Sequence, residues 1–506
     1  MTDILLVAIN SRYTHSSLAL RYLYANLKEL QNKTQILEFV INEQPQTLAE
    51  KILRFKPKIV GIGVYIWNAQ EVSNLIEILK KVSPKTKIVL GGPEVSHKPF
   101  RVKFDEADFI IQGEGEISFY KLCVDLLKNE DKNPKIIPAI MPNLDELTLP
   151  YKHYNEHDIK HRYTYVEASR GCPFECEFCL SAIDDKVRYF DMDILLNEFE
   201  LLWQKGARNF KFIDRTFNLN IKYANMLMDF FLAKKEPYSL HFEVIPDHFP
   251  QALKERILQF PPYHLQLEIG IQTLNNEVLE NINRRMNLNK VKRNLLFLEQ
   301  ESKAHLHVDL IVGLPGESLE SFAKNLNRLK TMTNSEIQIG ILKKLSGTTL
   351  HRHDKKFGII YCDKPPYDIL KSDNLSFETI QKMKRFARFW DLTYNSGNFQ
   401  KTMDYIFEDD VFKGFYEFSQ WIYKQSESTW QISLNRLSEF VFDYLTDKKS
   451  FDKEMIAKTI LDDIIKVDGR KIPGFLRTHL SVIPDLRERK ELTKHNKRQV
   501  LRNNDG

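Results

Sequence analysis

The chain is poor in cysteine and glycine and has no long apolar run. Five cysteines, 19 glycines and 20 prolines are spread over 506 residues. That excludes a fibrous or collagen-like chain, and 42% hydrophobic with 28% charged residues is the balance of an ordinary globular protein. No apolar stretch reaches the roughly 18 residues that a membrane span requires. The start, Met-Thr-Asp-Ile, holds Asp3 and no basic segment ahead of its apolar run. A cytoplasmic protein without membrane association is expected. A net charge of +5 on so long a chain says little about partners. The basic surplus gathers at the end, where seven Lys or Arg fall between Arg487 and Arg502 against Glu488 and Glu491. Such a tail can touch RNA or another polyanion, but it reads first as a solvated terminus, so a nucleic-acid partner is possible without being indicated. The length exceeds what a single core serves, and two or three domains are expected.

The few cysteines are unevenly placed. Cys123 and Cys362 stand alone, whereas Cys172, Cys176 and Cys179 lie within eight residues. An odd number with three clustered is not a disulfide framework; it points to a reducing compartment where thiolates remain free to bind metal. The run Ser169-Arg170-Gly171-Cys172-Pro173-Phe174-Glu175-Cys176-Glu177-Phe178-Cys179 has the spacing C-x3-C-x2-C. Three thiolates occupy three corners of a 4Fe-4S cube and leave one iron open to another ligand, whereas electron-transfer ferredoxins supply a fourth Cys. The alternative is a zinc site completed by a His, as in a zinc-stabilised RNA-binding protein. Zinc ribbons and fingers pair two ligand knuckles, and here the second is missing.

Around the cysteines two α/β alternations are legible. Residues 1–140 read as a doubly wound, Rossmann-like domain: DILLVAIN, KIVGIGVYIW, KIVLGGPEVS and ADFIIQGEGE as buried parallel strands, SLALRYLYANLKEL, QTLAEKILRF and AQEVSNLIEILKKV as crossover helices. In such a sheet ligands bind beyond the carboxyl ends of the strands. There lie Asn10 to Ser17, Gly91-Gly92-Pro93-Glu94 and Gly113-Glu114-Gly115-Glu116. A Pro-bearing linker covers 141–160. From 161 to 360, YTYVEAS, NFKFID, SLHFEVI, HLQLEIGIQT, AHLHVDLIVG and EIQIGILKK are strand-like and alternate with helical segments, the pattern of a partial (β/α)6 barrel whose functional groups collect at the strands' C-terminal ends. Residues 361–490 read as a mainly helical domain and 491–506 as a basic flexible tail. Phe386, Phe389, Trp390 and Tyr394 fall at helical spacing, a stripe that reads as core before it reads as a base-stacking surface.

With C-x3-C-x2-C on the loop after the first strand of a partial barrel, residues 161 to about 350 resemble the radical S-adenosylmethionine superfamily. That resemblance implies a 4Fe-4S cluster on Cys172, Cys176 and Cys179, with S-adenosylmethionine chelating the open iron and yielding a 5'-deoxyadenosyl radical on reduction. An electron donor such as flavodoxin or ferredoxin is implied with it. Glu243, Gln272, Arg284 and Asp309 are similar in type and order to the S-adenosylmethionine contacts of the oxygen-independent coproporphyrinogen oxidase branch, and Gln272 keeps that branch's separations to Arg284 and Asp309. Phe178, Asp214 and Thr216 join the implied set. Asp214 and Thr216 stand where that superfamily's Gly-Gly-Glu stretch is absent, this chain reading Phe212-Ile213-Asp214-Arg215-Thr216-Phe217-Asn218.

An α/β domain ahead of such a barrel is similar to the cobalamin-binding domain of the cobalamin-dependent branch, and the linker Leu144-Asp145-Glu146-Leu147 to Pro150-Tyr151 resembles that branch's own. The implied cobalamin contacts are Asn10, Ser16, Ser17, Gly91, Gly92, Glu94, Gly113 and Glu114. The Asp-x-His-x-x-Gly element that offers a lower axial His is missing, since His15 has no Asp two residues before it; base-off cobalamin without a His ligand is expected. Methylthiotransferases carry three more cysteines in their N-terminal domain, and here Cys123 is the one cysteine in that region. The resemblance implies a cobalamin-dependent methyltransferase acting on an unactivated carbon of an unknown substrate, with a non-methylating rearrangement or oxidation as the alternative. Tyr163, Tyr165, Arg170, His241 and Asp247 are candidates to meet that substrate. No catalytic acid or base can be assigned, and the C-terminal region resembles an uncharacterised extension of such enzymes.

Overall fold

The computed structural model describes residues 2–130, 132–466 and 470–482, so the basic tail lies outside the described residues. The first alternation folds as a six-stranded parallel sheet in the order β2-β1-β3-β4-β5-β6, with β1 Ile4–Asn10, β2 Thr34–Val40, β3 Ile59–Gly63, β4 Lys87–Gly91, β5 Phe109–Gln112 and β6 Ile136–Pro138. Helices α1 Leu18–Ala25, α2 Pro45–Leu53, α3 Ala69–Val82 and α4 Glu116–Leu127 connect its strands. All seven residues of β1 are buried, as a central strand covered on both faces requires. Cys123 lies in the core beside Phe119 and Leu122, where burial pushes its thiol pKa far up.

Two strands of this sheet were not among those expected, β2 and β6. In β2, Gln35 and Glu38 interrupt the apolar pattern. The Glu38 side chain is nonetheless only 6% exposed, because Arg21 of α1 meets it at 2.5 Å and Arg162 at 2.8 Å. The chain leaves β1 for β2 on one side and returns past it to β3 on the other. This reversal puts a topological switch point at the carboxyl ends of β1 and β3.

The second alternation begins with α5 Glu156–His161 and β7 Thr164–Val166, followed by a two-residue hairpin, β8 Ser169–Arg170 with β9 Arg188–Tyr189. Then come α6 Met192–Gln204, β10 Asn209–Phe212, α7 Ile221–Leu232 and β11 Ser239–Val244, with β10 parallel to both β7 and β11. Phe210 and Phe212 turn to the helices, packing on Phe199 and Phe231, so Lys211 between them points to the opposite face. These elements and the first sheet form one compact unit, residues 1–243, joined by two later segments, 343–352 and 361–368. The later segments are tied in by Tyr367, whose hydroxyl donates to the buried Glu94 and whose ring lies under the Arg101 guanidinium at 4.3 Å.

The second unit comprises residues 244–342, 353–360 and the described residues from 369 on. It contains α8 Gln251–Ile257, β12 Leu265–Gln272, α9 Asn276–Asn281, α10 Leu288–Glu301, β13 His305–Val312, α11 Leu319–Lys330 and β14 Glu336–Ile341, with β13 parallel to β12 and β14. In β12 every second residue is buried, so Gln266, Glu268, Gly270 and Gln272 share the other face. After two short strands, β15 Ile360–Tyr361 and β16 Ile369–Lys371, the chain is helical: α12 Phe377–Trp390, α13 Gln400–Phe407, α14 Val411–Ser426, α15 Leu434–Asp443 and α16 Lys453–Ile465. The aromatic stripe is core: Phe386, Phe389, Trp390 and Phe415 have no exposed surface. This region docks on the edge of β14, where the Asn395 side chain bonds both the N–H and the carbonyl of Ile337, at 3.0 Å each. Among the described residues, no helix is long and apolar enough to cross a membrane.

Candidate functional site

The three clustered cysteines sit on the loop that β8 and β9 close. Pairing of Ser169 with Tyr189 and of Arg170 with Arg188 brings the loop's ends together, and Gly171 makes the closure possible. Its φ is +91°, and a Cβ there would lie 2.2 Å from the Lys186 carbonyl oxygen. Within the loop the Cys172 N–H donates to the Asp184 carbonyl at 2.9 Å and the Cys179 N–H to that of Cys176 at 3.0 Å. All three thiols are unbridged; Cys172 and Cys176 are buried and Cys179 is half-buried. The loop from Gly171 to Val187 contains no histidine. Three thiolates on one short loop without a fourth local donor fit an iron-sulfur cube with one open iron.

Charges hold this loop in place. Arg170 is met by Glu114 at 2.5 Å and by Glu116 and Glu167 at 2.9 Å each. Arg188 joins Glu114 and, at 3.2 Å, Asp184. Glu177, buried between two of the cysteines, is paired with Arg352 at 2.8 Å. Asp214 accepts from the Ala168 N–H at 3.0 Å and the Ser169 hydroxyl at 2.5 Å, anchoring the strand end that leads into the loop. Burial pushes its pKa up to about 7, against the opposing pull of those hydrogen bonds. Thr216 is buried nearby in sequence, and Phe178 is half-buried within the loop itself.

Beside this loop opens a cavity of about 580 Å³. One wall comes from the switch point of the first sheet: Asn10, His15, Ser16, Ser17, Tyr65 and Trp67. The facing wall comes from the cysteine loop and the first strands of the second alternation, with Tyr165, Gly171, Asp214 and Arg215, while Glu114 and Arg170 lie at the junction. Asn10 donates to the His15 carbonyl at 3.1 Å and to Glu38 at 2.8 Å, fixing the loop after β1. Ser17 caps α1, and the Ser16 hydroxyl donates to the Tyr163 carbonyl at 2.9 Å. His15 Nδ1 is 2.5 Å from the Tyr165 hydroxyl; burial, aided by the charges of Lys211 and Arg12, lowers its pKa and so favours the neutral imidazole. Tyr65 and Trp67 stack with centroids 4.5 Å apart, and the Trp67 indole N–H donates to the Ile9 carbonyl at 3.0 Å.

Of the residues expected to contact cobalamin, the cavity is lined by Asn10, Ser16, Ser17 and Glu114, and not by Gly91, Gly92, Glu94 or Gly113. Gly92 has φ +107°, and a Cβ there would lie 2.6 Å from the Val64 carbonyl oxygen. Glu94 is taken by Tyr367 and, at 3.5 Å, Ser346. The Gly113 N–H donates to Ser96 Oγ at 3.1 Å. Tyr65 and Trp67 were not anticipated, because they read as a continuation of the apolar run of β3.

The residues expected to contact S-adenosylmethionine fall in both units. In the first, Glu243 accepts two bonds from Arg215, at 2.7 and 2.9 Å. In the second, Gln272 ends β12 with φ +69°, Arg284 donates to the Gly270 carbonyl, and Asp309 lies 3.7 Å from His307. Glu268, His307 and Asp309 bring one ligand atom each within 4.8 Å of one another on that face. Among the candidates to meet substrate, Tyr165 and Arg170 line the cavity, Arg170 being bound by three carboxylates, and Tyr163 is exposed. His241 is buried, and Asp247 accepts from the Asn287 N–H at 2.8 Å.

Known protein families match three successive parts of the chain. The family model for the B12 binding domain matches residues 4–122, that for the radical SAM superfamily residues 166–329, and a protein family of unknown function, DUF4080, residues 355–505. The 2-(S-pantetheinyl)-carbapenam-3-carboxylate methyltransferase of Streptantibioticus cattleyicolor is 24% identical over 378 residues, 64% of this chain and 54% of that protein. The cobalamin-dependent radical SAM methyltransferase TokK of Streptomyces tokunonensis is 23% identical over 59% of this chain and 48% of its own length. The chain thus spans about half the length of these two relatives. Among solved structures, the cobalamin-dependent S-adenosylmethionine radical enzyme OxsB with aqua-cobalamin bound shares the fold at TM-score 0.62 and 12% identity, over 99% of this chain and 83% of that one. The radical S-adenosylmethionine methyltransferase TsrM of Kitasatospora setae, with cobalamin and a [4Fe-4S] cluster bound, follows at TM-score 0.58 and 15% identity, over 74% and 79%.

Proposed function

We propose that this chain, a radical S-adenosylmethionine protein with a B12-binding domain and an uncharacterised C-terminal extension, is a cobalamin-dependent methyltransferase acting on an unactivated carbon of its substrate. The observation that carries the reading is the cavity of about 580 Å³, walled on one side by the switch point of the first sheet and on the other by the cysteine loop. A ligand held at the first wall faces chemistry begun at the second. When bound, the cluster with S-adenosylmethionine supplies a carbon-centred radical and cobalamin a methyl group.

The chain's own residues hold and shield. Cys172, Cys176 and Cys179 would ligate the iron, and Gly171, Asp214 and Arg170 fix the loop that presents them. Asn10, Ser16 and Ser17 shape the first wall, with the flat Tyr65–Trp67 stack beside them. His15, held by Tyr165 and with its pKa lowered by burial, stands on that wall. The proposed S-adenosylmethionine contacts are Phe178, Asp214, Thr216 and Glu243 in the first unit and Gln272, Arg284 and Asp309 in the second. An electron must be delivered from outside, by a donor such as a flavodoxin or a ferredoxin.

The test is anaerobic reconstitution with iron, sulfide and cobalamin, followed by methyl-labelled S-adenosylmethionine and a strong reductant. Label passing to a carbon of a product, with 5'-deoxyadenosine and S-adenosylhomocysteine formed together, is the expected result. 5'-Deoxyadenosine without S-adenosylhomocysteine would move the assignment to rearrangement or oxidation. Protein that takes up zinc and no iron would end it.

A further inference from the structure

Lys211 lies in the middle of β10, between two phenylalanines that face the helices, and so presents its side chain on the opposite face of the strand. The parallel register sets Tyr165 of β7 level with it on one side and His241 of β11 level on the other. His15, bonded to the Tyr165 hydroxyl, feels the lysine's charge. One layer of this face therefore carries a lysine, a tyrosine and a histidine on three adjacent strands, with a second histidine at its rim.

The carboxylates of the next layer are committed elsewhere. Glu167 is bonded to Arg170, Glu243 to Arg215, and Asp214 to the Ala168 N–H and the Ser169 hydroxyl. Among the described residues, no carboxylate is in ion-pair range of the Lys211 ammonium, although the residue is half-buried. An ammonium on this face with no protein carboxylate beside it can take its counter-charge from a ligand. Tyr and His on the flanking strands can complete the coordination of an oxyanion by hydrogen bonding.

We propose that Lys211 is the anion-binding residue of a substrate subsite, reading a carboxylate or phosphate group with Tyr165, His241 and His15 around it. The inference deepens the assignment above, since it names the charge class of the substrate, and it rests on that assignment only for calling the ligand a substrate. Binding itself is testable without turnover. Purified, reconstituted protein is titrated calorimetrically with inorganic phosphate and, separately, with succinate, alongside Lys211→Met and Lys211→Arg. Acylation of Lys211 in the wild type is followed by mass spectrometry with and without each anion.

Expected is binding of at least one anion, weakened tenfold or more by Lys211→Met and only a few-fold by Lys211→Arg, with that anion protecting Lys211 from acylation. Phosphate binding alone marks a phosphate reader, and succinate alone a carboxylate reader. If neither anion binds at millimolar concentration, or binding occurs without protecting Lys211, the proposal falls. Should Lys211→Met fail to fold, Lys211→Arg and the wild-type acylation pattern decide. Methyl transfer in the absence of anion binding would overturn this subsite and leave the function standing; anion binding without methyl transfer would do the reverse.

Discussion

Glu317 closes the turn after β13, where its Oε1 accepts from the Thr273 hydroxyl at 2.8 Å and the Asn325 amide at 2.7 Å. Burial pushes its pKa from 4.5 up to about 8, so the carboxyl keeps its proton at neutral pH. A folded-state pKa above the unfolded one gives stability that is full below pH 4.5 and is lost as pH rises through about 8. Glu317→Gln, which keeps an acceptor for both donors, should flatten that slope. The variant is expected to match wild type near pH 5 and to exceed it by a few kcal/mol at pH 9, as read from urea unfolding at the two pH values. Single residues were legible in the sequence to unequal degrees. Cys172, Cys176 and Cys179 declare themselves because metal ligation needs a fixed spacing on one loop. Lys211 does not, since an isolated lysine inside a strand pattern looks the same whether its face is solvated or enclosed.

The cysteine loop is the element on which the chemistry turns, and two residues outside the cysteines govern it. At Gly171 both the positive φ and the 2.2 Å approach of a hypothetical Cβ to Lys186 O exclude a side chain. Gly171→Ala should displace the loop and cut iron per chain after anaerobic reconstitution by more than half, with the melting temperature of the remainder of the protein nearly unchanged. Asp214→Ala removes the acceptor of the Ala168 N–H and the Ser169 hydroxyl. Stranding buried donors costs about 1–3 kcal/mol, so a lower melting temperature together with reduced iron uptake is expected. Strands and helices of the second alternation were readable because their apolar periodicity is unbroken. The boundary of β3 was not: the apolar run continues to Trp67, but Asn68 Oδ1 accepts from the Tyr65 N–H at 2.8 Å and turns the chain out of the sheet. β2 escaped notice because Glu38 interrupts its apolar pattern, and the arginines that pair with it are not placed beside it by the local sequence.

At the scale of the molecule, Arg170 joins what the sequence presents as separate domains, binding Glu114 and Glu116 from the end of the first sheet and Glu167 from the start of the second alternation. Arg170→Met leaves three carboxylates in place without their common cation, a loss of about 3–5 kcal/mol. A drop of that size in urea unfolding, accompanied by a split of the single transition of the first unit into two, is the expected outcome. The segments 343–352 and 361–368 bear on how this unit is made. They emerge from the ribosome a hundred residues or more after Glu243, yet Tyr367 is the side chain that bonds Glu94 and lies against the Arg101 guanidinium. During translation the amino-terminal half must wait, incompletely walled, until residue 368 has been synthesised. A fragment ending at Glu243, however well it collapses, would leave wet an acidic side chain that the finished protein keeps covered, and would strip the aromatic ring from beneath a neighbouring guanidinium.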